Sequence, residues 1–301
     1  MPQLITIFLN VLAPVFLLVL TGYLAGPRLQ LEARTLSRLA YFILTPAFVF
    51  NVLSQTRIEL GLAGRMISFI TLVYLGSVMV AFVVARLLRR SQAMTSAYVM
   101  IAVFGNVGNF GLPIIQFATG PEALGIATIY FLANLVLAFI VCVAAANVSR
   151  GFNLAMVGQV FRTPALIAIV PALLVNAANI QLPPVVVRPL DLLSGALIPI
   201  MLLILGVQLA GAGKLRFSPD LFISSAIRLI SGPVFAFSLI GWFALPDLEA
   251  TVGILQSSMP AAILVSIIAL ENDLLPQFVT TTVLFSNLVS VFSLAVVLVL
   301  L

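Results

Sequence analysis

Long apolar stretches recur along the whole chain, and they constrain the fold more than any other feature. The chain has 301 residues, of which 62% are hydrophobic and 8% are charged. An apolar helix of about 20 residues is long enough to cross a hydrocarbon core of roughly 30 Å. The sequence therefore predicts an all-α polytopic membrane protein whose residues 1–301 form a single transmembrane domain. Ten spans are predicted, at about residues 4–25, 36–55, 65–88, 94–118, 122–146, 163–181, 190–211, 218–243, 248–270 and 275–300.

Basic residues in the loops predict the orientation, because cytoplasmic loops are enriched in Lys and Arg. The net charge of +5 reflects this distribution and does not indicate nucleic-acid binding. The loops after odd-numbered spans hold Arg28, Arg34, Arg38, Arg86, Arg89, Arg90, Arg150, Arg162, Lys214 and Arg216, and those after even-numbered spans hold Arg57, Arg65 and Arg188. This asymmetry predicts that the odd loops are cytoplasmic and that both termini are outside. The first span lacks a basic n-region, so it is expected to be retained.

Prolines at similar positions in the two halves of the chain predict an internal repeat. The halves cover about residues 1–147 and 160–301, on either side of a predicted loop at residues 147–161. Because each half has five spans, the second must be inverted relative to the first, as in many secondary transporters. Chance pairing is the alternative in a chain with 17 prolines. The pairs are Pro14 and Pro171, Pro46 and Pro199, and Pro113 and Pro260, which lie 157, 153 and 147 residues apart.

Residues 105–113, with the sequence GNVGNFGLP, interrupt the fourth predicted span. Interior glycine weakens a helix by roughly 1 kcal/mol and interior proline by roughly 3 kcal/mol. Freed backbone groups survive inside a membrane only when protein or a wet cavity surrounds them. The stretch therefore predicts a broken helix that builds a site, with Pro113 near the start of a second half-helix and Asn109 as a candidate cap.

The ninth predicted span contains a corresponding polar patch that ends in proline. Pro260 is expected to begin the second half-helix, with Ser257 or Ser258 as its cap. If the halves are inverted, two half-helix N-termini approach the middle of the membrane from opposite sides and favour an anion. The alternative is that the glycines allow close packing and the polar side chains join helices. The candidate substrate-binding residues at the two breaks are Asn106, Gly108, Asn109, Pro113, Gln256, Ser257, Ser258 and Pro260.

Two further polar residues are candidates outside the breaks. Arg228 lies well inside the eighth span, where an unpaired charge costs about 2.5 kcal/mol or more. It is expected either to attract an anionic substrate or to extend toward the inner headgroups. Asn51 is a single amide in the second span, and it either contributes to the site or bonds to a neighbouring helix. Asn134, Gln208 and Asn287 are similar single amides.

The residue content disfavours an enzyme and a metal site. Histidine is absent, which removes the commonest general base and metal ligand. Cys142 is the only cysteine, so neither an intrachain disulfide nor a cysteine cluster can form. No Asp or Glu lies near either break, which disfavours tight coupling to protons or sodium through a buried acid. No cofactor is expected.

Three segments resemble the auxin efflux carrier family, and more closely its short bacterial members. They are residues 41–50, residues 105–113 with the following 120–122, and residues 258–262. The resemblance implies a fold similar to that of bile-acid/sodium symporters, with a scaffold panel and with helices 4 and 9 crossing at their unwound centres. It implies transport of organic anions, and it assigns the crossover to Asn106, Asn109, Pro113 and Pro260. Gln256 and Ser257 stand where distant symporters carry a sodium-binding carboxylate, so the resemblance does not extend to sodium dependence.

Together these observations predict a secondary transporter for a small organic anion, either an auxin-like monocarboxylate or a dicarboxylate like malonate or malate. Alternating access, with an elevator-type movement, is the expected mechanism. The alternatives are a passive channel and an ion-coupled symporter of a different solute. The expected location is the bacterial inner membrane, and the expected partners are the anion and the lipid bilayer. A homodimer is left open.

Overall fold

The computed structural model describes residues 8–56, 59–146, 158, 162–211 and 217–301. Within these ranges every element longer than a single β-bridge is helical. Proline occupies the first position of several helices, where its missing N–H has no intrahelical role. The helices are α1 (Phe8–Arg28), α2 (Ala33–Gln55), α3 (Leu60–Leu87), α4 (Gln92–Val103), α5 (Leu112–Thr119), α6 (Leu124–Ala146), α7 (Pro164–Ala177), α8 (Pro184–Ala210), α9 (Pro219–Leu239), α10 (Asp247–Ser257), α11 (Ile263–Glu271) and α12 (Pro276–Leu300).

Seven of the described helices are long and apolar enough to cross a membrane. They are α1, α2, α3, α6, α8, α9 and α12. Large apolar side chains such as Leu192 and Phe292 are exposed, as expected where lipid is the solvent. The polytopic all-helical class is therefore confirmed. The remaining three predicted spans correspond to the shorter helix α7 and to the pairs α4–α5 and α10–α11, so ten spans stay a prediction.

Four helices, α1, α2, α7 and α8, pack mainly on one another and form a panel. Helices α1 and α8 touch through glycines, since a Cβ on Gly22 or Gly206 would collide with the backbone of the facing helix. Asn176 of α7 donates from Nδ2 to carbonyl oxygens at the end of α2, including that of Thr56 at 2.8 Å. Asn51 of α2 donates from Nδ2 to Asp191 Oδ1 of α8 at 3.1 Å. The panel is thus held by close backbone contact and by polar links at its edge.

The other long helices, α3, α6, α9 and α12, pack with the shorter α4, α10 and α11 into a second group. At one end of this group Arg90 pairs with Asp220 at 2.8 Å, and Tyr98 donates to the same carboxylate at 2.7 Å. At the other end Arg65 donates to the carbonyl of Ala244 at 2.7 Å. Each contact joins loops that the sequence places on the same side. Which side is cytoplasmic stays a prediction, and most of the predicted loop at residues 147–161 lies outside the described residues.

Both predicted breaks are present. Helix α4 ends at Val103, and a π-helical turn at Val107–Gly111 leads into α5. Helix α10 ends at Ser257, and α11 begins at Ile263. Pro113 is the second residue of α5, close to the predicted position. The same expectation for Pro260 is wrong, because residues 259–262 form an extended connection that pairs with the other break before α11 begins.

Candidate functional site

The two breaks meet in a short antiparallel bridge between Gly105 and Ala261. The N–H of Asn106 donates to the carbonyl of Pro260 at 2.7 Å, and the N–H of Ala262 donates to the carbonyl of Phe104 at 2.8 Å. An antiparallel bridge requires the two chain segments to run in opposite directions. It also satisfies backbone groups that neither broken helix can satisfy itself. We call this region, residues 104–106 with 259–262, the crossover.

Amide side chains from α6 and α12 complete the crossover. Asn106 donates from Nδ2 to Asn287 Oδ1 at 2.9 Å, and Asn287 donates from Nδ2 to the carbonyl of Ala261 at 2.9 Å. Asn134 donates from Nδ2 to the carbonyl of Gly105 at 3.2 Å. Ser286 accepts from the N–H of Ala261 at 3.2 Å. Asn106 is 3% exposed, and its backbone N–H and Nδ2 are both engaged in this network, so it supports the crossover.

Arg228 of α9 is also part of the crossover. Its guanidinium donates from Nε to the carbonyl of Met259 at 2.8 Å and from Nη1 to the carbonyl of Ala102 at 2.6 Å. The side chain has no exposed surface. Extension toward the headgroups, one of the two sequence expectations, is therefore wrong, because acceptors from two other helices hold the guanidinium inside the protein.

Asn109 differs from the other candidate residues because its side chain is partly exposed and no hydrogen bond engages it in the described part of the chain. It lies in the π-helical turn that precedes α5, and this turn contacts α8 of the panel. The first N–H groups of a helical segment have no intrahelical acceptor. Among the described residues no acceptor bonds the N–H groups of Val107, Gly108 and Asn109. This turn therefore offers donors at the boundary between the two helix groups.

Two adjoining cavities of about 350 and 330 Å³ lie between α11 and α12 and extend to α8. They share Ser266, Thr280 and Leu284. Ile263, the first residue of α11, lines the second cavity, so the crevice leads toward the crossover. Gln208 Oε1 and Ser266 Oγ are buried here without a hydrogen-bond partner among the described residues. Neutral polar groups thus line a crevice between the panel and the second group.

Comparison with known proteins decides the family. A model of the membrane transport protein family, which is the auxin efflux carrier family, matches residues 7–157 and 153–298. The chain belongs to this family. It is 25% identical over 285 residues to an uncharacterized transporter of Methanothermobacter thermautotrophicus, covering 93% of this chain and 94% of the relative. It is 23% identical over 299 residues to an uncharacterized transporter of Methanocaldococcus jannaschii, covering 93% and 96%. The resemblance noted in the sequence is confirmed.

In this family member the polar patch of the second break is turned inward. Ser257 and Ser258 donate to the carbonyls of Gly253 and Ile254, both at 2.7 Å, one turn back in α10. They therefore do not cap α11, and the predicted capping role is wrong. Gln256 donates from Nε2 to the carbonyl of Ala127 at 3.3 Å. None of the three side chains reaches open space, since each is at most 1% exposed.

The glycines of the first break serve packing. A Cβ on Gly108 would lie 3.0 Å from the ring of Phe131, and one on Gly111 would lie 2.5 Å from Gln256 Oε1. Asn51 lies in the panel beside Asp191 and makes no contact with the crossover among those described. The structure thus brings the predicted residues of the two breaks and Arg228 together and leaves Asn51 apart.

Sequence reasoning missed the supporting role of several residues. Asn134 and Asn287 stand out as single amides in apolar spans, but nothing local indicates that both bond to the same crossover. Ser286 carries no signal of this kind. Within the described ranges no group of three Cys, Asp or Glu residues is placed to hold a metal ion.

Proposed function

We propose that this transporter moves a small organic anion by alternating access, with the anion bound beside the crossover at Asn109. The observation that carries the proposal is the turn at Val107–Gly111, which combines unengaged N–H donors with a partly exposed amide at the boundary between two helix groups. Such donors at a helix N-terminus suit a carboxylate. The substrate class, an auxin-like monocarboxylate or a malonate- or malate-like dicarboxylate, is part of this proposal.

The proposal includes ten membrane segments arranged as two inverted repeats. In support, the breaks occur at corresponding places in the two halves of the chain. The antiparallel bridge also requires the two segments that it joins to run in opposite directions. Inverted repeats of transporters place their sites where interrupted helices meet. The short helices α4 and α5 then form one segment, as do α10 and α11.

The proposed movement carries the second helix group past the panel, as in an elevator. In support, the two groups are separated by the crevice that Gln208 and Ser266 line. Ala33 also lines this crevice, and the exposed Arg34 follows it in the chain. By the loop charges this is the cytoplasmic side, so we propose that the crevice opens inward. A positive residue near the mouth would raise the local concentration of an anion.

We further propose the cytoplasmic membrane as the location, with both termini outside. The sequence suggests the inner membrane of a bacterium, whereas the two relatives come from archaea. The charge asymmetry of the loops supports the orientation in either case.

Transport into proteoliposomes tests the proposal, using labelled malonate, malate and indole-acetate. Asn109→Ala should lower the flux of the transported solute about 10- to 100-fold, because a hydrogen bond to a charged group contributes about 1.5–3 kcal/mol. Its melting temperature should stay within about 2 °C of the native value, since no hydrogen bond is lost. The matched control is Asn51→Ala, which removes an amide from the panel and should keep the flux.

Two outcomes would contradict the proposal. Unchanged flux in Asn109→Ala would remove the site, and absence of flux for all three carboxylates would remove the substrate class. Counterflow separates a carrier from a channel. In a carrier, an excess of unlabelled solute on one side drives labelled solute from the other side against its own concentration gradient, which a channel cannot do. Saturation of the rate with solute concentration should accompany it.

A further inference from the structure

Arg228 lies within α9 with no exposed surface, in a place where a charge is costly for a membrane protein. Cations inside a membrane protein usually pair with an acidic side chain or with backbone carbonyls. In the described part of the chain no Asp or Glu forms an ion pair with Arg228, although Arg90 has one with Asp220. The charge of Arg228 is therefore balanced by other groups.

Two helix ends supply the balance. Nη1 bonds the carbonyl of Ala102 in the last turn of α4, and Nε bonds the carbonyl of Met259 just after the end of α10. A helix C-terminus carries about half a negative charge and has carbonyls without intrahelical partners. Two such ends that face each other repel, and a cation between them removes the repulsion.

The surroundings suit a guanidinium whose Nε and Nη1 are hydrogen-bonded, while Nη2 is buried without a hydrogen-bond partner among the described residues. Its planar set of donors reaches two carbonyls at once, which an ammonium on a flexible chain does less well. Tyr74 lies with its ring centre 5.7 Å from the guanidinium carbon, within the range of a cation–π contact. Gly105 leaves room for Nη2, which a Cβ at this position would contact. The socket thus combines acceptors, an aromatic face and the absence of a side chain.

We infer that Arg228 is a built-in cation that holds the two interrupted helices together in place of a bound metal ion. In many transporters the C-terminal ends of interrupted helices coordinate the coupling Na⁺. Here nitrogen atoms of the protein occupy such carbonyls, so neither the crossover nor transport requires Na⁺ or K⁺. The structural part holds for any solute, while the consequence for coupling rests on the proposed function.

Thermal unfolding of the purified protein in detergent tests the structural part. Arg228→Met keeps an unbranched side chain but removes the guanidinium and its charge, and it should lower the melting temperature by roughly 5–10 °C, as expected for breaking a buried charge interaction. Arg228→Lys keeps a charge at similar length and should melt between Arg228→Met and the native protein. An Arg228→Lys variant that melts at or below Arg228→Met would overturn the inference.

Chemical rescue gives a second, independent test. Arg228→Ala leaves a space that added guanidinium can enter, so low millimolar guanidinium chloride should raise its melting temperature. The same salt should raise that of Arg228→Met less, because the Met side chain fills part of the space, and it should not raise that of Arg86→Ala, which loses an exposed charge. Equal shifts in all three variants would contradict a specific socket. If Arg228→Ala does not fold, the comparison of Lys with Met decides alone.

Gly105→Ala tests whether Gly105 and Arg228 act together in stabilising the protein. The new Cβ would displace the guanidinium, so the substitution should lower the melting temperature clearly in the native background and much less in the Arg228→Met background. Equal losses in both backgrounds would show that Gly105 does not serve Arg228.

Flux in proteoliposomes tests the consequence for coupling. With Na⁺ or K⁺ replaced by N-methylglucamine, the flux through the native protein should change less than twofold. A tenfold dependence on either ion would overturn this part and leave the carrier function intact. Absence of any carboxylate flux would instead contradict the proposed function, while the unfolding experiments would still decide the role of Arg228.

Discussion

The two breaks at the crossover have similar backbones and different side-chain chemistry. In both, a helix ends, an extended residue pairs across the bridge, and a second helix begins. The first break continues into the turn Val107–Gly111, which keeps unengaged N–H groups and a partly exposed Asn109. The second break directs Ser257 and Ser258 back onto α10.

This difference separates ligand binding from structural support. The first break keeps polar groups without a hydrogen-bond partner among the described residues, so it is the part that we propose binds the solute. The second break has polar groups that are all engaged or enclosed, and α9 presses against it through Gly232 and Arg228. Two breaks with paired backbones can therefore differ in chemistry, and under the proposed function one break binds the solute while the other supports it.

The largest loss of stability is expected where α9 touches the second break. A Cβ on Gly232 would collide with the carbonyl oxygen of Ser257, which is backbone and cannot rotate away. Gly232→Ala should therefore cost about 3 kcal/mol of stability through overpacking. Thermal unfolding measures it, with Gly195→Ala in α8 as the matched control.

Gly195 has open space around it, so the control should be neutral or stabilising by about 0.5–1 kcal/mol, as for glycine in a helix. Equal effects of the two substitutions would show that α9 does not hold the second break through this contact. Loss of flux in Gly232→Ala without loss of stability would assign the contact to the transport cycle instead.

The positions of the breaks could be predicted because they follow from local chemistry. Glycine and proline weaken a helix wherever they occur, and a membrane span is recognised by its length and apolarity. Proline prefers the first position of a helix, so the local rule predicts that α11 starts at Pro260. The carbonyl of Pro260 instead accepts the N–H of Asn106, a residue far away in the chain, and the helix starts later. Local residue preferences therefore predict where each helix breaks, but they do not predict the backbone geometry within the break.

The contacts of the site could not be predicted, because they join residues far apart in the chain. Asn106 and Asn287 are 181 residues apart, and no sequence pattern around either residue indicates that it contacts the other. Arg228 was expected near a headgroup or a substrate because its own helix offers nothing to bond a guanidinium. Its acceptors are the carbonyls of Ala102 in the last turn of α4 and of Met259 just after α10, and they become available only because both helices are interrupted.

A medium effect is expected from the amide pair that supports the first break. Asn106→Ala leaves Asn287 Oδ1 buried without its donor, which should cost about 1–3 kcal/mol. Asn287→Ala should lie toward the upper end of this range, since Asn287 also bonds Ala261 and Val283. The double variant should lose less than the sum, because the two residues share one bond. Additive losses in thermal unfolding would mean that the pair does not act together.

The smallest effect is expected at the second break, and it gives the sharpest contrast with Asn109. The hydroxyl of Ser258 bonds only the carbonyl of Ile254, which already accepts the N–H of the same serine. Ser258→Ala should therefore change stability by about 0.5 kcal/mol or less and leave the flux within twofold of the native value. Parallel flux measurements with Asn109→Ala complete the test. A tenfold loss of flux in Ser258→Ala would mean that the second break also binds the solute. A structural hydroxyl in this position contributes too little free energy to explain a loss of that size.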